Sequence, residues 1–215
     1  MNKKESKINH LLPNKCLIVV YSYHHNNTAK IAKIFSKVLN ADILNPNQVT
    51  QDNISQYNLI GFGAGIDSGK HYKPLLNFVD NLSNVNKQKA FIFSTSAIQG
   101  VTKVKKDHSL LRSKLVSKGY IIVDEFSCKG FNTNSFLKYF GGMNKGRPNN
   151  EDFKHAEKFA VDILQKIIDS SIEHWNNWFS ALPSDIFSIE NYSKKIYKKY
   201  ILTKKQIHDI IDLLV

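Results

Sequence analysis

The sequence predicts an α/β fold, a doubly wound parallel sheet of five strands, with a helical extension at the C-terminal end. Short apolar runs alternate along the chain with longer segments whose apolar residues recur at helical spacing. This alternation is typical of parallel strands joined by crossover helices. Polar loops follow three of the apolar runs, and in such a sheet these loops meet beyond the carboxyl ends of the strands. A binding site is therefore expected at that edge.

The first strand and the helix after it are the clearest elements. Residues 16–21 form the unbroken apolar run CLIVVY, which is typical of a strand buried on both faces. The helix that follows is indicated by apolar residues at helical spacing, namely Ile31, Ile34, Phe35, Val38 and Leu39. Residues 41–44 predict a short second strand, and residues 59–63 predict a third. Residues 64–69 are expected to form the loop after it.

Two more strands and their helices complete the predicted sheet. A helix is expected to begin near Pro74, because proline is favoured at the first helical position. Residues 90–93 predict the fourth strand and residues 120–123 the fifth, with a helix over residues 110–118 between them. The stretch 126–150 has no clear period and is expected to be irregular.

A long helix is predicted at residues 151–169, with Asn150 as its N-cap. The predicted doubly wound domain therefore covers residues 15–169 of the 215-residue chain. A basic tail, residues 1–14, precedes it. A helical C-terminal extension, residues 170–215, follows it.

Composition limits the classes of function. A hydrophobic content of 42% with thirteen Phe argues against disorder, and no apolar run approaches the roughly 20 residues of a membrane span. The N-terminal residues lack the apolar stretch of a secretory signal. Cys16 and Cys128 are too far apart in sequence to suggest a disulfide framework or a metal site. We therefore expect a cytoplasmic, reduced protein without a membrane span.

The loop after the first strand, residues 22–28, has the composition of an anion site. The free N–H groups of a helix N-terminus and the helix dipole attract anions, and hydroxyl and amide side chains add donors. The predicted ligand is a phosphate, and the candidate residues are Ser22, His24, His25, Asn26, Asn27 and Thr28. The adjacent histidines have no Cys, Asp or Glu nearby, so no metal site is expected.

A second pair of residues, Asp107 and His108, could act as an acid and a base. They lie in a lysine-rich stretch where the sequence places the start of a helix, so a capping role is favoured instead. No Ser/His/Asp or Cys/His nucleophile is indicated elsewhere, and any redox chemistry would have to come from a cofactor.

Several segments resemble the flavodoxins. These are YSYHHNNT after the first strand, GFGAGIDSGKHY at the third and FIFSTS at the fourth. The segments FSCKGFNT and GGMNKGRPNNED are similar to those of flavodoxin-domain proteins from anaerobic bacteria and archaea. The resemblance covers about residues 15–168 and implies a flavodoxin-like sheet with a non-covalently held FMN. The phosphate would lie in residues 22–28, and the isoalloxazine ring between residues 64–69 and 94–100.

The resemblance also assigns residues to the ring. They are Ala64, Gly65, Ile66 and Asp67 in the second loop, and Thr95, Ser96 and Ala97 in the third. Three positions depart from the family pattern. Asn26 stands where Gly is usual, although Asn tolerates a positive φ. Ala97 replaces a Gly, and Asp67 stands where an aromatic often stacks. A carboxylate beside the flavin is expected to lower its potential.

Three functions remain open. The first is an FMN-binding electron-transfer protein that passes one or two electrons to or from a redox partner protein. The resemblance implies an acidic shuttle, whereas this chain carries a net charge of +12, which favours an acidic partner. The second is a flavodoxin-like FMN oxidoreductase similar to the protoporphyrinogen oxidases. The third is a flavin-free interaction scaffold. Asp209 and Asp212 on the last predicted helix argue against nucleic-acid binding.

Overall fold

The computed structural model of the chain describes residues 15–134, 139 and 141–180. The strands are β1 (Cys16–Tyr21), β2 (Ala41–Leu44), β3 (Leu59–Asp67), β4 (Lys70–His71), β5 (Lys89–Ser96) and β6 (Ile121–Lys129). The α-helices are α1 (Asn27–Leu39), α2 (Gln51–Ile54), α3 (Lys73–Asp80), α4 (Val101–Ser117) and α5 (Asn150–Ser180), and a 3₁₀ turn spans Pro46–Gln48.

Five of the strands form one parallel sheet in the order β2-β1-β3-β5-β6. This is the doubly wound, flavodoxin-like order that the sequence predicts, because the chain first moves to one edge at β2 and then crosses β1 to build the other half. The structure adds a short sixth strand, β4, which pairs antiparallel with the end of β3.

Helices cover both faces of the sheet, and each face has its own core. On one face, apolar residues of β1, β3 and β5 pack against α3 and α4, through residues such as Leu75, Val79 and Leu111. On the other face, Phe35 of α1 contacts Phe93 of β5 and Phe159 of α5, with ring centroids 5.2 Å and 5.5 Å away. Burial of apolar side chains on both faces explains why the central strands β1, β3 and β5 read as largely apolar runs.

The end of β3 differs from the sequence prediction. Residues 64–67, expected in a loop, continue the strand, and the chain then turns back through Ser68 and Gly69 into β4. Both turn residues have positive φ angles, 50° and 78°, which is the geometry of a two-residue hairpin turn. The hairpin places Ile66 opposite His71.

Three helix and strand boundaries also differ. Helix α4 begins at Val101, so Asp107 and His108 lie inside the helix, where both are buried, and the predicted capping role is wrong. The N-cap of α5 is Asn149, one residue before the predicted one, because its side-chain oxygen accepts the N–H of Asp152 at 3.2 Å. Strand β6 continues to Lys129, into the stretch expected to be irregular.

The sheet and the helices around it form one compact unit, Lys15–Ala160, and the rest of α5 belongs to a second unit. The predicted domain boundary at residue 169 stays a prediction. The predicted basic tail and residues 181–215 of the predicted extension lie outside the described residues. In the part of the chain that is described, no helix is both long and apolar enough to span a membrane.

Candidate functional site

A cleft opens at the carboxyl ends of β1, β3, β5 and β6, where the fold places the loops of four strands side by side. The cleft is lined by Ser22, Tyr23, His24, Asn27, Thr28, Gly65, Ile66, Tyr72, Thr95, Ser96, Ala97, Gly130, Phe131, Asn132 and Asn134. Most of these side chains carry hydroxyl, amide or aromatic groups, so the cleft can hold a ligand that is polar at one end and planar at the other.

The turn before α1 brings backbone donors to one end of the cleft. His25 and Asn26 both have left-handed backbone conformations, with φ angles of 52° and 53°, so Asn26 adopts the conformation for which Gly is usual. The N–H of Asn27 donates to the His24 carbonyl at 3.2 Å. The N–H of Thr28 takes part in no hydrogen bond among the described residues, so it is free to bind an anion.

Three hydroxyl groups line the same end of the cleft, of which those of Thr28 and Thr95 are buried and that of Ser22 is half-buried. Ser22 Oγ accepts the N–H of Ala29 at 3.2 Å, which leaves the hydroxyl hydrogen of Ser22 free to donate. Thr28 Oγ1 and Thr95 Oγ1 lie 2.8 Å apart and join α1 to β5. Only one of the two threonine hydrogens is used in that bond, so the pair can still donate to a ligand.

Asn27 links the same corner to the fourth loop. Its Nδ2 donates to the Phe131 carbonyl at 2.8 Å, whereas its Oδ1 is buried and has no hydrogen-bond partner among the described residues. A buried acceptor without a partner costs roughly 1–3 kcal/mol, so this oxygen suits a ligand that brings a donor. Gly130 permits the close approach, because a Cβ there would lie 2.9 Å from Asn27 Nδ2.

Aromatic side chains form the other end of the cleft. Tyr72 follows β4, and its N–H donates to the Gly65 carbonyl at 3.1 Å. Its ring packs edge-on against Tyr21, with the centroids 5.9 Å apart, and a Cβ on Gly65 would lie only 2.6 Å from that ring. Burial, followed by the charge of Asp67, raises the pKa of Tyr72. Tyr23 is 69% exposed and presents a second ring at the mouth.

The third and fourth loops are tied together behind the cleft. Asn144 Nδ2 donates to the Ala97 carbonyl at 2.7 Å and lies 3.3 Å from the Gly130 carbonyl. Gln99 Nε2 donates to Ser96 Oγ at 2.9 Å and to the Cys128 carbonyl at 2.8 Å. These bonds fix short polar loops in one arrangement, which is what a preformed binding site needs.

The structure brings together most of the residues that the sequence suggested. The predicted residues that line the cleft are Ser22, His24, Asn27, Thr28, Gly65, Ile66, Thr95, Ser96 and Ala97. His25 instead packs on Phe131, with ring centroids 4.4 Å apart, and its Nε2 lies 2.8 Å from Thr133 Oγ1. Asn26 shapes the turn, and Ala64 is buried in β3.

Asp67 is exposed at the tip of the β3–β4 hairpin and does not line the cleft. Ser68 Oγ donates to its carboxylate at 3.3 Å. The cleft is therefore lined at this end by Tyr72 and Tyr23, which sequence reasoning missed.

The fourth loop was also missed. Residues 130–134 reach the cleft because β6 continues to Lys129, past the predicted end of the fifth strand. Their sequence, GFNTN, contains the Gly, aromatic and Asn types that the other loops carry. This composition and the resemblance of the segment FSCKGFNT were the available signals, although no residue of the loop was assigned to the site.

Comparisons with known proteins give matches with the same architecture. A family model described as "Flavodoxin domain" matches residues 18–161. The uncharacterized protein MJ0298 of Methanocaldococcus jannaschii is 50% identical over 151 residues, which is 70% of this chain and 99% of that protein.

Solved structures agree in fold. A flavodoxin from the domain Archaea has a TM-score of 0.52 and 18% identity, covering 71% of this chain and 98% of its own. Oxidised flavodoxin 2 from Bacillus cereus has a TM-score of 0.54 and 16% identity, covering 71% and 99%.

Proposed function

This chain belongs to the flavodoxin domain family, and from that premise we propose that it binds FMN non-covalently in the cleft and transfers electrons through it. The observation that carries the proposal is the free N–H of Thr28 at the N-terminus of α1, among hydroxyl groups that still have hydrogens to donate. FMN, when bound, supplies the redox chemistry and accepts one or two electrons.

The residues at the α1 end of the cleft fit a phosphate. Thr28 offers its backbone N–H, while Ser22 and the Thr28–Thr95 pair offer hydroxyl hydrogens. The helix dipole favours a negative charge at this position. The buried Oδ1 of Asn27 lacks a donor, and the hydroxyl groups of a ribityl chain would provide one.

The other end of the cleft fits a planar ring. Tyr72 and Tyr23 are the side chains we assign to ring contact, and Gly65 leaves room beside Tyr72. Offset or edge-on contacts between aromatic systems add roughly 0.5–1.5 kcal/mol beyond simple burial. Tyr72 thus takes the stacking role that sequence comparison left open at Asp67.

The test is the binding of flavin by the purified protein. We expect FMN added to the flavin-free protein to bind with a one-to-one stoichiometry and to lose fluorescence on binding. Riboflavin, which lacks the phosphate, should bind more weakly. A protein that binds neither molecule would contradict the proposal and favour the flavin-free interaction scaffold.

The proposed partner is an acidic redox protein. The net charge of +12 steers association towards negatively charged surfaces. The two cysteines, Cys16 and Cys128, are buried free thiols, and burial raises the pKa of Cys16 to about 12, so they are not set up to react. Free thiols support the expected cytoplasmic setting.

A second candidate function is a flavodoxin-like FMN oxidoreductase. It is favoured by a recess that adjoins the cleft at Tyr72 and is lined also by Tyr21, Tyr23, Asp67, Lys70 and Lys73. Such a recess offers aromatic, cationic and anionic contacts to a substrate next to the proposed ring. Anaerobic mixing of the FMN-loaded protein with a porphyrinogen separates the two functions. Reduction of the flavin would support the enzyme, and no reaction would support the carrier.

A further inference from the structure

A second polar cluster lies on the face of the sheet covered by α4. We name it the histidine cluster, and it consists of His71, Ser94, His108 and Glu125. Ser94 Oγ lies 2.8 Å from His108 Nε2, and His108 Nδ1 lies 2.9 Å from Glu125 Oε2. The spacing is that of a Ser–His–acid triad, but Ser94 and His108 have no exposed surface, so no substrate can reach the serine.

His71 is the unusual member of this cluster. It is 1% exposed, and its ring centroid lies 4.9 Å from that of His108. The Phe93 carbonyl lies near the ring, but no group in the described residues completes a hydrogen bond of ordinary geometry to either nitrogen. Burial, aided by the neighbouring His108, lowers the pKa of His71 to about 3, so the ring is neutral at pH 7.

The burial of His71 matters because this residue lies in a hairpin that reaches the cleft. It belongs to the β3–β4 hairpin, which projects beyond the sheet and carries Ile66 and Tyr72 to the cleft. Within residues 67–74, all of which are described, His71 is the only buried residue. The outer part of the hairpin is therefore held against α4 through a single buried side chain.

Helix α4 presents a matching polar surface to the hairpin. His108 contacts His71, and Asp107 Oδ1 would lie 3.8 Å from a Cβ at Gly69 in the turn. His108 cannot move away, because Glu125 holds its Nδ1 and is itself bound by Arg112, whose Nη2 donates to Oε2 at 2.7 Å. Contacts with Glu125 of the sheet therefore hold in place the part of α4 that packs against His71.

We propose that His71 is a positioning residue for the cleft: by packing on His108 it anchors the β3–β4 hairpin and so holds Tyr72 in place to contact the flavin ring. The effect on flavin rests on the proposed function. The anchoring itself does not, because its contacts are made between residues of the chain alone.

Hydrogen exchange in the flavin-free protein tests the anchor directly. The reporter is the N–H of Tyr72, which donates to the Gly65 carbonyl and closes the hairpin. His71→Ala should speed its exchange, whereas His71→Leu, which fills a similar volume, should keep it slow. The control is Val79→Ala, which opens the same core in α3 away from the hairpin. Equal acceleration in His71→Ala and Val79→Ala, or no acceleration in His71→Ala, would overturn the anchor.

Flavin affinity tests the consequence. His71→Ala should weaken FMN and riboflavin by the same factor, about tenfold or more, because the ring end and not the phosphate end is disturbed. His71→Leu should bind both almost as tightly as the parent. Faster exchange at Tyr72 with unchanged flavin affinity would overturn the positioning role. A parent protein that binds no flavin would refute the proposed function, and the exchange experiment would still decide whether His71 is an anchor.

Discussion

Thr28 contributes both to the packing of the fold and to the proposed phosphate site. Thr28 is 1% exposed, and its side chain binds Thr95 across the space between α1 and β5. The same residue lines the cleft, and its backbone N–H makes no hydrogen bond among the described residues. A hydroxyl that holds a helix to a strand also has a fixed direction. Fixed donors bind an anion without the entropic cost of ordering flexible side chains.

Replacing Thr28 with Val should weaken FMN far more than riboflavin. Val keeps the branched shape but removes the hydroxyl. The loss of one hydrogen bond to a charged group costs roughly 1.5–3 kcal/mol, or about ten- to a hundredfold in affinity. Fluorescence titration of both flavins measures the difference, and Thr28→Ser is the control that restores a hydroxyl. Equal losses for FMN and riboflavin would remove Thr28 from the phosphate site.

The sequence predicts that the carboxylate of Asp67 lowers the potential of the flavin, and the structure leads to the opposite expectation. This carboxylate acts on the pKa of Tyr72, but it is exposed at the hairpin tip and does not line the cleft, so water screens it from a ligand beyond Tyr72. Asp67→Asn should therefore leave the midpoint potential of bound flavin unchanged, as measured by redox titration. A potential that rises in Asp67→Asn would show that the carboxylate reaches the ring after all.

At the scale of elements, Glu125 joins β6 to α4. Burial of this carboxylate opposes its ionisation, but hydrogen bonds from His108 and Arg112 outweigh burial and lower its pKa from 4.5 to about 2. A pKa that is lower in the folded state means that the ionised group stabilises the fold above pH 4.5. That contribution is lost as the pH falls towards 2.

Glu125→Gln should lower the free energy of unfolding at pH 7 and flatten its decline between pH 4.5 and 2. The depressed pKa sets an upper limit of roughly 3 kcal/mol at neutral pH, and screening by water at this half-buried carboxylate reduces the contribution below that limit. Urea unfolding across this pH range measures the effect. The control is Glu151→Gln, since Glu151 is 67% exposed and its carboxylate lies 3.3 Å from Arg147 Nη1, so little change is expected. A parallel decline in Glu125→Gln and the parent would contradict the assignment.

The sheet was predictable chiefly because its three central strands, β1, β3 and β5, are buried on both faces and read as apolar runs. Strand β4 was not predictable, since it has two residues and no period of its own. The start of α4 at Val101 was not predicted from the sequence for a different reason. Gly100 precedes it without a side-chain cap, and its first turns are rich in Lys, so neither a capping signal nor an apolar stripe marks the helix before Leu110.

The candidate site was predictable where loop composition carried the signal, as in residues 22–28. The roles of Tyr72 and of residues 130–134 depend on how far β3 and β6 extend, and those lengths are set by pairing with neighbouring strands. His108 shows the same limit. Its buried position depends on hydrogen bonds with Ser94 and Glu125, which lie on two different strands. No local sequence pattern predicts these contacts.

At the scale of the whole molecule, charge distinguishes this chain from the acidic shuttles that its resemblance implied. Thirty Lys and Arg residues against eighteen Asp and Glu residues give the net charge of +12. A net charge of this size attracts anions and repels cations over distances of about one Debye length, roughly 8 Å at physiological salt. Small redox ions that approach the cleft are therefore expected to respond to the sign of this charge.

The rate at which reduced, FMN-loaded protein is oxidised should depend on salt in opposite directions for two probes. Oxidation by the anion hexacyanoferrate(III) should slow as salt is added, because screening removes the attraction. Oxidation by the cation hexaammineruthenium(III) should become faster for the same reason. Stopped-flow kinetics at several salt concentrations measures both, and each probe serves as the control for the other. The reverse pattern would mean that the surface around the cleft is negative despite the net charge, and the proposed acidic partner would be replaced by a basic one.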